Sequence, residues 1–278
     1  MIEGVMIRAG DRWAVAVRQP DGEIARHRGA VPAWAGRLAK VPVVRGTLAL
    51  VSTISLGMKA LSWSREVAEG PAPTDRKASP RSAFLAALVS VSILVALFAV
   101  IPAVAARSLT SGHGAVFGAT EAFLRLALFV GYVAAIGRLP GIARTFEYHG
   151  AEHAAVAAYE AGAPLEVATV RTFSPRHARC GTDFLVLVAV VAVALFALVS
   201  PSAWWALLLS RVLLFPVVAG LAYELLRLSG RPRASRWLAP LLVPAMAVQR
   251  LTTRPFTDDQ VEVAIAAVEA ALDPVELP

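Results

Sequence analysis

The sequence predicts a mainly α-helical integral membrane protein with about four transmembrane helices, further interfacial or re-entrant helices, and a small N-terminal antiparallel β-meander. Three observations carry that prediction. The chain has 278 residues, of which 57% are hydrophobic, and a mean hydropathy of +0.61, against about 45–50% apolar residues in soluble domains. The apolar residues fall in blocks rather than evenly. The basic residues concentrate in alternate connections between those blocks, as retention of Lys and Arg on the cytoplasmic side requires.

A formal net charge of +7 raises nucleic acid as a partner. The arginines flank apolar blocks and do not interleave with aromatics, so no nucleic acid is expected and the lipid bilayer is. Cys180 is the single cysteine, which excludes an intrachain disulfide and leaves a thiol that is free or a ligand. Met1 to Pro20 lacks the apolar core of a signal peptide.

Residues 1–30 alternate with a period near two, Val15 and Val17 against Ala16 and Arg18, and Pro20-Asp21-Gly22 supplies a turn; this reads as a cytoplasmic β-meander. Residues 42–63 are apolar but interrupted by Arg45 and Lys59, with Gly46 and Gly57 inside, which suits an interfacial or re-entrant helix. A linker rich in Pro, Ala and charge is expected over residues 64–81. Residues 82–256 form the four-span domain. Its spans are Phe84 to Ala106, Phe123 to Leu139 with a start slightly earlier, Phe184 to Val199, and Trp204 to Leu228 with a bend at Pro216, since roughly 20 apolar residues cross ~30 Å of hydrocarbon. Trp237 to Gln249, broken by Pro240 and Pro244, reads as re-entrant or superficial. Residues 257–278 read as a cytoplasmic amphipathic helix, opened by a Thr257/Gln260 capping box and striped by Val261, Ile265, Val268 and Leu272.

The loops joining spans one to two and three to four contain only Arg107, whereas the other side holds Arg138, Arg144, Arg171, Arg176 and Arg179 together with the basic residues of both ends. A multi-pass protein of the plasma membrane follows, with both termini and the connection 140–182 in the cytoplasm.

That connection carries the chemistry. GIARTFEYHGAEHAAVAAYEAG reads as a helix stopped by Gly162 and Pro164. His149 and His153, four apart, project from one face at the spacing that grips one metal ion. Glu152 completes an H-x-x-E-H arrangement, in which the carboxylate serves as general base toward water. SPRHARCG then brings His177 and Cys180 three apart, either of which completes a divalent metal site, zinc by ligand type. Four ligands (His149, His153, His177, Cys180) would close a structural site; three would leave a position for chemistry. Glu224, a carboxylate within the fourth span, is another candidate third ligand, Arg211 a candidate counter-ion, and Glu147 a candidate group supporting the ligands. Against the metal stands a plain alternative, in which Ile142, Phe146, His149, His153 and Val156 form one buried stripe. Cys180 also reads as a nucleophile, set near a helix N-terminus with Arg176, Arg179 and His177 close in sequence. The same arginines could meet anionic lipid head groups, or could be ordinary positive-inside residues. Glu121 and Arg125 read as an intrahelical pair, and His113 and His27 as solvated.

MIEGVMIR at the start, FEYHGAEH and RHARCGTDF in the middle, PVVAGLAYELLRL in the last span and QRLTTRPFTDDQVEVAIAAVE near the end together resemble the YqhQ-like family of multi-pass bacterial membrane proteins, over nearly the whole chain. The resemblance implies a domain of unknown function labelled a predicted metal-dependent enzyme. It carries over onto His149, Glu152, His153, His177 and Cys180. Family members tend to have extra residues before the EGVM segment. The expected function is a metal-dependent, hydrolase-like membrane protein with its site facing the cytoplasm. The alternative is a non-enzymatic scaffold, lipid-handling or transport-related protein with a structural zinc site.

Overall fold

The fold was analysed in a computed structural model, which describes residues 1–31, 40–69, 85, 88–90, 92–93, 96–110, 112, 114–176, 180–199, 201, 203–229, 243 and 246–273. His113, His177 and Arg179, residues 70–81 of the expected linker, much of the first expected span and most of Trp237 to Gln249 lie outside the described residues.

Strands β1 (Gly4–Ala9), β2 (Arg12–Arg18) and β3 (Ile24–Ala30) form the expected antiparallel meander in the order β1-β2-β3. Val5 faces Ala16 across the first pair, and Val15 faces His27 across the second. The second turn closes as its sequence requires: Gly22 takes φ +92° and the Glu23 amide donates to the Asp21 carboxylate at 3.0 Å. The period of two is hidden in β2 because the sheet is covered on both faces. Trp13, Val15 and Val17 pack on one side, and Val5 and Ala16 on the other.

Helix α1 (Val44–Glu69) supplies the first cover through Leu56 and Ala60. It runs six residues beyond the expected end at 63, because Ser64 to Glu69 remains helix-compatible and Arg65 pairs with Glu69 one turn on at 2.9 Å. Its opposite face leaves Val51, Ile54, Met58 and Leu61 exposed, as an interfacial helix would. Its start meets helix α7 (Trp204–Ser229) where glycines remove the side chains: a Cβ on Gly46 would lie 2.8 Å from the Gly220 carbonyl oxygen.

The remaining elements are a π-helical segment (Ala96–Val100) running into α2 (Ile101–Leu109), then α3 (Gly114–Ile136), α4 (Pro140–Glu160), α5 (Val167–Val170), α6 (Gly181–Leu198) and, after α7, α8 (Asp258–Leu272). Helix α3 begins nine residues before Phe123. The charges that interrupt its apolar run are inside it: Glu121 pairs with Arg125 and with Arg211 of α7 at 2.5 and 2.8 Å. Among the described residues two helical stretches, Val116–Ile136 and Trp204–Ser229, are long and apolar enough to cross a bilayer, while Ala96–Leu109 and Asp183–Leu198 are apolar but shorter. Only 17% and 33% of the two long windows is buried, so most of their apolar surface faces outward, as suits contact with a bilayer.

The second sheet cover is built by α4 and α8. Tyr148, Ala151, Ala154, Ala155 and Ala158 meet Val261, Ala264, Ile265 and Val268 around Val5 and Ala16. The small side chains on α4 allow close approach. Helix α8 is buried well beyond its expected stripe, Val263, Ala266 and Ala267 included. At its start the Thr257 amide donates to Gln260 Oε1 at 3.0 Å, as the capping pair predicts. We refer to the sheet with α4, α8 and the second half of α1 as the head.

Candidate metal centre

Helix α4 starts at Pro140, where a missing N–H is harmless. It stops at Gly162, whose φ of +67° suits only a residue without a Cβ penalty. Between them, four-residue spacing stacks His149 and His153 with ring centroids 4.3 Å apart at 65°. His153 is buried and His149 partly so.

Each imidazole is held by a backbone carbonyl. His149 Nδ1 lies 2.8 Å from the Thr252 carbonyl oxygen, and His153 Nδ1 lies 2.8 Å from that of Pro175. A carbonyl only accepts, so both Nδ1 atoms carry a proton, and in the neutral rings that leaves the lone pair on Nε2. This is the support that metal-binding histidines receive. His149 Nε2 lies 3.1 Å from Cys180 Sγ, and Cys180 is buried just before α6. Donor atoms of His149, His153 and Cys180 all lie within 4.8 Å of one another. Tetrahedral zinc separates nitrogen and sulfur donors by roughly 3.3–3.6 Å, from bond lengths of about 2.0–2.1 and 2.3 Å, so an approach of about an ångström brings the widest pair onto one ion.

The Thr252 carbonyl reaches His149 because residues 252–256 cross α4 at Gly150. A Cβ there would lie 2.4 Å from the Arg254 carbonyl oxygen and 3.1 Å from the Phe256 ring. The Arg254 amide donates to the Phe146 carbonyl at 3.0 Å, fixing the crossing. Farther out, the Thr253 hydroxyl and the buried Gln249 carbonyl are 2.8 Å apart, and the Gln249 amide group donates to the buried Asp183 at 2.7 Å. None of this support was read from the sequence, although Gly150 beside a candidate ligand in mid-helix was a visible signal.

A cavity of about 460 Å³ opens beside the donors, lined by His149, Glu152, His153 and Cys180 and, on its other walls, by Ile7, Val156, Tyr159, Val268 and Leu272 among others. Burial pushes the Glu152 carboxyl above its ordinary range, and the nearby His149 partly opposes that shift.

The structure therefore brings together four of the residues singled out from sequence, His149, Glu152, His153 and Cys180. It does not bring in three others. Glu224 is spent in an ion pair with Arg45, because the start of α1 lands on that turn of α7, and it also accepts from the Val43 amide. Glu147 accepts from Gln260 at 2.9 Å and anchors α8 instead of supporting a ligand. Arg176 is exposed, its amide donating to the Ser174 hydroxyl. His27 is exposed, as expected, with Trp63 stacked on its ring at 5.4 Å and Trp13 edge-on at 5.3 Å.

Fold and site thus define a mainly helical protein with two bilayer-length apolar helices and a two-histidine, one-cysteine donor cluster opening on a cavity of its head. The chain belongs to the family described as Protein of unknown function (DUF1385), which matches residues 41–274. It is 31% identical over 294 residues to Uncharacterized protein YqhQ of Bacillus subtilis (strain 168), an alignment covering 98% of this chain and 90% of that one. No solved structure matches.

Proposed function

We propose that the protein is a metal-dependent, hydrolase-like enzyme working at the cytoplasmic surface of the plasma membrane, with zinc as its ion. The observation that carries this reading is the convergence of His149, His153 and Cys180 donors within 4.8 Å at the edge of a cavity that Glu152 also lines. His149 and His153 would hold the ion, their rings oriented by the Thr252 and Pro175 carbonyls. Cys180 would be the third ligand, as a thiolate. A bound zinc ion supplies Lewis acidity toward a carbonyl and toward water. Glu152 takes the proton from the attacking water and returns it to the leaving group. The adjoining cavity favours this open arrangement over a closed structural one.

Around this site the chain is proposed to cross the bilayer four times, through α3, α7 and the regions of α2 and α6, with both termini and the connection 140–182 in the cytoplasm. The basic residues of that connection support the orientation. Arg176 in that connection is exposed, and its charge suits anionic lipid head groups.

Metal analysis of the purified wild type, His149→Ala and Glu152→Gln tests the centre. The expected result is one zinc per chain in the wild type, loss of most of it in His149→Ala, and retention in Glu152→Gln with loss of cellular function. A metal-free wild type would overturn the reading. Labelling from outside the cell of a cysteine placed at the exposed Thr172, in a Cys180→Ala background, would overturn the orientation.

A further inference from the structure

Away from the donors the cavity has an aliphatic side built by three elements, with Arg8 and Glu160 the charged residues of that lining. Val156 lies on α4 one turn beyond His153, Ile7 comes from β1, and Val268 with Leu272, one turn apart, comes from α8. Tyr159 completes this side with its ring half-exposed at 47%. The remaining corner is Cys180 and Gly181, the start of the apolar helix α6. The cavity is thus floored by donors, walled by aliphatic side chains and joined to the base of a helix that packs on α7, one of the two bilayer-length helices. Its volume of about 460 Å³ falls in the usual range for sites that enclose a small molecule, about 300–1,000 Å³.

We infer that the occupant of these walls is the acyl chain of the substrate, so that the bond attacked at the His149, His153 and Cys180 corner is the ester or amide of an acyl group. This rests on the metal-dependent reading above and names its substrate class. Carbonyl and chain suit the two ends of the cavity separately: the carbonyl needs the donors and Glu152, and the chain gains by leaving water against Ile7, Val156, Val268 and Leu272. The polar groups of the lining other than the donors are Glu152, Glu160, Arg8 and the Tyr159 hydroxyl. Arg8 is exposed and sits on the strand position opposite in face to Ile7.

The test uses a series of saturated alkyl hydroxamates, from acetohydroxamate to octanohydroxamate, titrated calorimetrically into full-length zinc-loaded protein in detergent. A hydroxamate chelates zinc through one head, so only the tail varies. Affinity is expected to rise about fourfold per methylene until the cavity is filled. Leu272 is 36% exposed and tolerates replacement. Leu272→Trp narrows the mouth and is expected to remove the gain for octanohydroxamate while acetohydroxamate binds as before. Val156→Phe, from the opposite wall, should shorten the longest tail accepted. Equal binding along the series, or a chain-length gain untouched in both variants, would overturn the acyl pocket and leave the metal centre standing. Failure of every hydroxamate to bind a protein that holds zinc would overturn the open centre and this inference with it.

Discussion

Gly150 sits between the two histidines, and its missing side chain lets residues 252–256 lie directly on α4. Gly150→Ala would drive a methyl group to 2.4 Å from the Arg254 carbonyl oxygen. The crossing strand must then move, and the Thr252 carbonyl moves with it. Loss of a backbone acceptor behind a metal-binding histidine weakens metal affinity about 10–100-fold. Competition with a chelator should show that weakening in Gly150→Ala, while circular dichroism still reports a helical protein. Tyr148, beside the same histidine, is 1% exposed, and its hydroxyl donates to Glu3 at 3.1 Å. Burial and the neighbouring Glu3 carboxylate raise its pKa above the ordinary phenol value. A raised folded-state pKa gives stability that is complete below the unfolded value of about 10 and declines as pH rises past it. Urea-unfolding midpoints are therefore expected to fall between pH 9 and 11 more steeply in the wild type than in Tyr148→Phe. The clustering of His149, His153 and Cys180 was legible in the sequence because spacing and residue type suffice to single them out. Their support was not, since Thr252 and Pro175 act through carbonyl groups that every residue has.

At the scale of elements, α8 is held to the head by two kinds of contact with unequal weight. Arg18, Arg26 and Arg28 of the sheet pair with Glu262, Glu269 and Asp273, all with substantial exposure on at least one side. Such pairs each contribute about 0–1 kcal/mol. Gln260 is fully buried, caps the helix through Thr257 and donates to Glu147. Gln260→Leu leaves both partners unmatched and should destabilise the head by about 1–3 kcal/mol, against a few tenths for Arg26→Ala; thermal unfolding of both variants checks the ranking. The meander, α4 and α8 were legible because period two, period 3.6 and their stop signals are local properties. The extent of burial on α8 was not, because a stripe of alanines reads as neutral until another helix is packed against it. The longer α3 escaped for a related reason: Glu121 and Arg125 look like an end until Arg211 arrives from 86 residues beyond Arg125.

For the molecule as a whole, that three-charge cluster is the chief polar tie among the apolar helices described here. Arg211 is 3% exposed; it donates to both oxygens of Glu121 and to the Val199 carbonyl, and its guanidinium sits 4.4 Å from the Phe196 ring centroid. Arg125 covers the same ring at 5.0 Å and donates to the Phe98 carbonyl at 2.8 Å. One carboxylate thus holds two arginines and, through them, four helical segments. Glu121→Gln strands two cations in an apolar surround. A loss of about 3–5 kcal/mol is expected, seen as a lower unfolding temperature in detergent, whereas Glu121→Asp should retain part of it. The head and its zinc content are expected to survive, since none of these residues touches it.

The order in which the chain is made gives the head a further property. The histidines and Cys180 are synthesised well before residues 252–272, yet the carbonyl that orients His149 and the wall formed by Val268 and Leu272 belong to that later stretch. A nascent chain therefore carries a thiol and two imidazoles with no finished pocket around them, and the pocket is complete only once translation has passed α8.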